Sequence, residues 1–159
     1  MDIQFVKYPQ KPIASEIFKR TRYTTMNKLT GIITQVQQSG AILLIDINVD
    51  KHLFTALLIQ SATPPDWLQT GKITDVVFKE TEVSLAKNLS GIISMRNRMK
   101  CTVRQIERGA LLSKVRLQFQ DHTISSAITT RSVDALELKI GDEVEALVKA
   151  NEIALMNKS

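Results

Sequence analysis

The stretch Leu111-Leu112-Ser113-Lys114-Val115-Arg116-Leu117-Gln118-Phe119 alternates around Leu111, Ser113, Val115, Leu117 and Phe119. That period of two is the mark of a strand with one buried face. Gln120-Asp121-His122 then reads as a short hairpin connection, and Thr123 to Thr130 as a strand rich in β-branched residues. Upstream, Arg98 to Ile106 is β-like and ends in the turn Glu107-Arg108-Gly109-Ala110. Downstream, Arg131 to Leu138 predicts one or two helical turns, with Thr130 or Ser132 as the cap. Gly141-Asp142 turns the chain into a strand over Glu143–Lys149, and Glu152–Met156 closes the unit. Five short strands and one helical turn in about 65 residues predict a small closed barrel of OB-like character.

The same pattern occurs twice, 70 residues apart. Asn27 aligns with Asn97, Gln35 with Gln105, His52 with His122, Leu68 with Leu138 and Gly71 with Gly141. Lys79, Glu82 and Leu85 align with Lys149, Glu152 and Leu155. Apolar pairs such as Val36/Ile106, Ile45/Val115 and Leu58/Ile128 keep the same register. A tandem duplication predicts an all-β chain of two small five-stranded barrels, with Pro64-Pro65-Asp66-Trp67-Leu68 replacing the helical turn in the first. The expected units are an N-terminal basic arm at 1–23, a first repeat at 24–87 and a second at 88–159.

Composition narrows the function. Of 159 residues, 43% are hydrophobic and 23% charged, enough for a core and a polar surface. The longest apolar runs, such as Ala41 to Ile45, are far shorter than the roughly 20 residues of a membrane helix. One cysteine, Cys101, excludes an internal disulfide and makes a cytoplasmic setting the expectation. The net charge of +5 is uneven: residues 1–30 carry +4, residues 31–90 carry −2 and residues 91–159 carry +3. With aromatics at 5%, stacking surfaces for single-stranded nucleic acid are sparse. In the arm, Ser15 is placed to cap a helix over 16–22 that carries Lys19, Arg20 and Arg22, a docking contact or a solvated leader.

Three segments of the second repeat carry the functional reading. Ser94-Met95-Arg96-Asn97 stands just before a strand, Ile128-Thr129-Thr130-Arg131-Ser132 leads into the helical turn, and Lys149-Ala150-Asn151 ends a strand. In order and spacing, from Ser94 to about Leu155, they resemble the molbindin family, the Mop or TOBE domains that bind molybdate and tungstate. The resemblance implies an oxyanion site made by Ser94, Met95, Arg96, Asn97, Thr129, Ser132, Lys149, Ala150 and Asn151. A desolvated dianion needs cations and donors around it. A guanidinium at Arg96, an ammonium at Lys149, hydroxyls at Ser94, Thr129 and Ser132 and backbone N–H groups near Met95 and Ala150 meet that need. It also implies oxyanion sites at barrel interfaces and assembly into homo-oligomers.

Met95, Cys101 and Asn151 depart from the family's small residue, glycine and serine. The first repeat departs further, with Thr24-Thr25-Met26-Asn27 in place of the arginine segment, Ile59 for Thr129 and Ala62 for Ser132. It retains Asn27 and Lys79 as weaker candidates, so the first repeat is expected to act as scaffold.

No phosphate loop, nucleophile elbow or zinc-protease helix occurs in the sequence, and no catalysis, directly ligated metal or resident cofactor is expected. His52 and His122 read as turn residues, Cys101 as a buried thiol and Trp67 as packing. The expected role is cytoplasmic binding of molybdate or tungstate for storage, buffering or homeostasis. The alternative is a ligand-sensing module of a molybdate-responsive regulator or transporter, acting through a partner. Binding of nucleic acid by this chain alone is not expected, since no winged helix precedes the repeats.

Overall fold

The computed structural model describes residues 26–59 and 63–158. The arm at 1–23, with the helix expected in it, lies outside the described residues, as do Thr24, Thr25 and Ala62. Ten strands follow in order: β1 (Met26–Ser39), β2 (Ile42–Val49), β3 (His52–Ile59), β4 (Ile73–Lys79), β5 (Ser84–Ala86), β6 (Asn97–Arg108), β7 (Leu112–Phe119), β8 (His122–Thr129), β9 (Glu143–Val148) and β10 (Ala154–Asn157). One helix, α1 (Thr130–Ala135), and two 3-10 turns, Glu80–Glu82 and Ala150–Glu152, complete the described elements. The chain is all-β, as the alternation predicts, in two five-stranded antiparallel sheets.

Each sheet is curled by its longest strand. β1 pairs with β4 through Met26–Ile32 and with β2 through Ile32–Ser39, and the register slips between Ile33 and Gln35. β6 repeats this between β9 and β7, slipping between Val103 and Gln105. An extra residue on one strand bends it and steepens its twist, which curls a flat ladder toward a barrel. The 70-residue repeat extends to the position of the bulge itself.

The strand order departs from the expectation that Glu152–Met156 closes its own unit. The sheets run β10-β4-β1-β2-β3 and β5-β9-β6-β7-β8, so each repeat lends its last strand to the other's sheet. Ala154–Asn157 pairs with Thr74–Val77, and Ser84–Ala86 pairs with Glu145–Leu147. Burial explains the exchange, since the core residues of both repeats form one continuous cluster. Phe54 and Phe119 meet edge to face at 6.2 Å within it, with the His52 ring 5.0 and 5.1 Å from them. Two small barrels that share a core remove more apolar surface from water than two separate ones.

Local chemistry accounts for the connections. Thr129, not Thr130 or Ser132, caps α1, because its extended backbone lets Oγ1 accept the Ser132 N–H at 3.1 Å. Thr130 is the first helical residue, and its hydroxyl donates instead to the Gly109 carbonyl at 2.9 Å. In the first repeat the prolines permit only a turn, closed by Leu68 N–H on the Pro65 carbonyl at 2.9 Å. Gly71 and Gly141 recur because both positions are left-handed, with φ of 88° and 92°. His52 and His122 occupy the last rungs of equivalent hairpins, opposite Val49 and Phe119. Trp67 packs half-buried against the core. Cys101 is buried, and desolvation pushes its thiol up to about 12, which removes it as a nucleophile.

Candidate functional site: two related cradles

The β6–β9 ladder ends at the pair Asn97–Val148. The next residues out are Arg96 and Lys149, which leave neighbouring strands from facing positions. Both side chains are exposed, and neither forms an ion pair among the described residues. Beyond Lys149 the chain enters the turn Ala150–Glu152, which packs on β3.

The first repeat builds the same corner with other residues. Its ladder ends at Met26–Lys79, and Lys79 leads into the turn Glu80–Glu82, which packs on β8. Methionine therefore stands where Arg96 stands, and a glutamate where Ala150 stands. Lys79 remains exposed, 3.5 Å from Glu82.

Two asparagines fasten these corners to the opposite repeat. Asn97 is fully buried; its Oδ1 accepts the Thr55 N–H at 2.7 Å, and its Nδ2 donates to the carbonyls of Thr55 at 3.0 Å and Val148 at 3.1 Å. Asn27 makes the equivalent pair with Ser125, both bonds at 2.8 Å. Each amide thus imitates a strand rung across the repeat boundary. Both N–H groups of Asn97 are engaged, leaving none for an ion, so its place in the set is that of a clamp. Its identity with Asn27 at a shift of 70 is the sequence signal for this role.

The remaining candidates divide between the two corners. Ser94, Met95, Arg96, Lys149, Ala150 and Asn151 gather at the corner that packs on β3. Ser94 is exposed, Met95 and Ala150 are half-buried, and the Asn151 amide reaches the Glu152 carboxylate at 3.2 Å. Thr129 and Ser132 belong to the end of β8, on the side of Lys79 and Asn27, with their hydroxyls 2.8 Å apart. The fold therefore does not bring the hydroxyl pair of one chain to its own Arg96 and Lys149. Beside the Arg96 corner lies instead an apolar groove of about 680 Å³, lined by Leu57, Ile59, Trp67, Asn151 and Leu155 among others. Ile59, where Thr129 stands in the other repeat, is 80% exposed there.

Sequence reasoning missed two charged groups at these turns. The Glu80 carboxylate lies buried 2.7 Å from the Lys114 ammonium on β7. Glu82 approaches its repeat partner Glu152, and burial, ahead of that neighbouring carboxylate, raises its carboxyl above the usual range against the pull of Lys79. Among the described residues no group of three or more His, Cys, Asp or Glu is arranged to hold a metal ion, and no helix is long and apolar enough to cross a membrane.

Residues 93–155 match the family model of the TOBE domain. The fold is similar to the structure of the cytoplasmic molybdate-binding protein ModG with molybdate bound, at 28% identity and a TM-score of 0.79 over 83% of this chain and 96% of that one. A molybdate-binding protein from Sporomusa ovata is 37% identical, with a TM-score of 0.42, over 42% of this chain and all of its own length. The molybdenum import ATP-binding protein ModC of Brucella abortus is 44% identical over 70 residues, 43% of this chain. That match spans 20% of the transport protein's length.

Proposed function

From a chain that belongs to the TOBE family, in the tandem form that ModG also has, we propose a binding protein for the tetrahedral oxyanions molybdate and tungstate that performs no chemical turnover. The observation that carries this reading is the end of the β6–β9 ladder, beyond which a guanidinium and an ammonium stand exposed, with no ion pair to a carboxylate among the described residues. Two positive charges match one dianion. The guanidinium offers paired donors in a plane, and the ammonium a compact charge. Backbone N–H groups near Met95 and Ala150, the Ser94 hydroxyl and the Asn151 amide are the further donors in reach of that corner. None of these groups takes a proton from the ion at neutral pH, so binding and release leave it unchanged.

Thr129 and Ser132 meet this cation pair only from a second copy of the chain. We therefore assign the complete site to an interface within a homo-oligomer. The first repeat serves as scaffold, since Met26 cannot supply charge at its corner. The role assigned is a cytoplasmic store or buffer of oxyanion, a reading supported by the similarity to the cytoplasmic molybdate-binding protein ModG. The similarity to one fifth of a molybdenum import ATP-binding protein supports a second reading, a sensing module that acts through a partner.

Native mass spectrometry with and without molybdate tests the reading, because subunits and bound ions are counted together. The expected spectrum is an oligomer whose mass rises by whole molybdate ions. A monomer, or an oligomer of unchanged mass at saturating molybdate, contradicts it.

A further inference from the structure

The Glu80–Lys114 pair stands at the place in the first repeat that Ala150 occupies in the second. Both turns begin one residue after a lysine, Lys79 or Lys149, and both pack on the last strand of the opposite sheet's hairpin. Where the second repeat has the methyl group of Ala150, the first sends a carboxylate inward, with a side chain 1% exposed. Its partner Lys114, 10% exposed, has Leu44 as its repeat equivalent. The acid and its base are thus both peculiar to this corner, and they arrive together.

A buried ion pair is a weak source of stability, because desolvation of both charges offsets most of their attraction. Its position is the informative feature. A carboxylate presents oxygen acceptors and negative charge, the features of a tetrahedral oxyanion, and here it meets an ammonium at an oxyanion-type turn.

Resting on the molybdate reading above, we propose that Glu80 is an internal stand-in for the anion, closing a second oxyanion site whose buried cation is Lys114. The first repeat has on this account kept a cationic cradle and filled it covalently, beyond having lost an arginine. Each chain then presents one open corner and one that is permanently occupied. The closed corner keeps its two lysines neutralised, by Glu80 and Glu82, and so repels no cation and attracts no anion.

Equilibrium dialysis with sodium molybdate on the full chain tests this with Glu80→Ala, which restores the Lys-Ala sequence of the second repeat. The expected result is one more molybdate per chain than in the wild type, and the gain is lost in Glu80→Ala/Lys114→Met. A folded Glu80→Ala variant with the wild-type count overturns the proposal, as does a gain that survives loss of Lys114. If Glu80→Ala is unfolded in buffer alone, molybdate, and not chloride of equal ionic strength, should restore its folded circular dichroism spectrum, and no recovery in molybdate overturns the proposal. The wild-type count separates the two readings. No binding by the wild type with a gain in Glu80→Ala breaks the function but not the stand-in, whereas equal binding by both does the reverse.

Discussion

The corner at Arg96–Lys149 and the corner at Met26–Lys79 share a ladder, a turn and an asparagine clamp, yet differ in their chemistry. One shows two exposed cations and a small residue. The other shows a methionine, a paired lysine and a buried carboxylate. What both retain is architecture, the amide that fixes one repeat's ladder end to the other repeat's strand. The difference teaches that duplication preserved the joint while leaving the ligand side chains free to diverge.

The largest expected effect concerns that joint. Asn97→Ala removes three buried hydrogen bonds and strands the Thr55 backbone, which should cost about 3 kcal/mol in denaturant unfolding. Asn27→Ala removes two bonds at a slightly more open position and should cost about 2 kcal/mol. A negligible loss in both would break the comparison at its shared element.

A sharper contrast lies at Gly31 and Cys101, which align at a shift of 70. A Cβ on Gly31 would meet the Asn48 carbonyl oxygen at 2.6 Å and the Val49 and Ile47 methyls at 2.7 and 2.8 Å. Gly31→Ala should therefore cost about 2 kcal/mol by overpacking, whereas Cys101→Ala should cost under about 1 kcal/mol. Thermal melts of the two variants read the asymmetry directly.

The next effect depends on pH. Hydrogen bonds from Lys28, at 2.7 Å, and Thr30, at 2.7 Å, hold the buried Asp75 carboxyl below its ordinary value of 3.8. A depressed carboxyl contributes stability above the unfolded value, and that contribution is lost as pH falls through the folded one. Asp75→Asn should thus cost about 1–2 kcal/mol at pH 7 and progressively less below pH 4. The smallest effect is at Glu82, where the shift has the opposite sign. Its raised carboxyl penalises the fold once ionised, so Glu82→Gln should slightly raise the melting temperature at pH 7 and leave it unchanged at pH 3.

The strands were legible because alternation reports burial one strand at a time. From β6 to β9 the expected spans lie within a few residues of the observed ones, and the repeat carries them to the first half. Strand exchange was not legible. Leu85 and Leu155 look the same whether they close their own sheet or the other, and only the shared core decides. At the proposed site, Arg96 and Lys149 were singled out by the order and spacing of the family's motif, and each stands one residue beyond the Asn97–Val148 end of a ladder. The separation of Thr129 and Ser132 from that pair was hidden, since a linear motif does not say which copy of a repeat faces which. Lys114 was hidden too: inside an alternating strand it shares a face with the exposed Arg116 and the half-buried Leu112 and Gln118, and its acid lies 34 residues upstream, at Glu80.

Calorimetric titration of the wild type and Arg96→Ala with molybdate addresses the central claim most directly. Loss of a charge-assisted contact of about 1.5–3 kcal/mol should weaken binding by about 10- to 150-fold, with Met26→Ala unchanged beside it. Equal affinity in the wild type and Arg96→Ala would contradict the assignment of the ion to the β6–β9 corner.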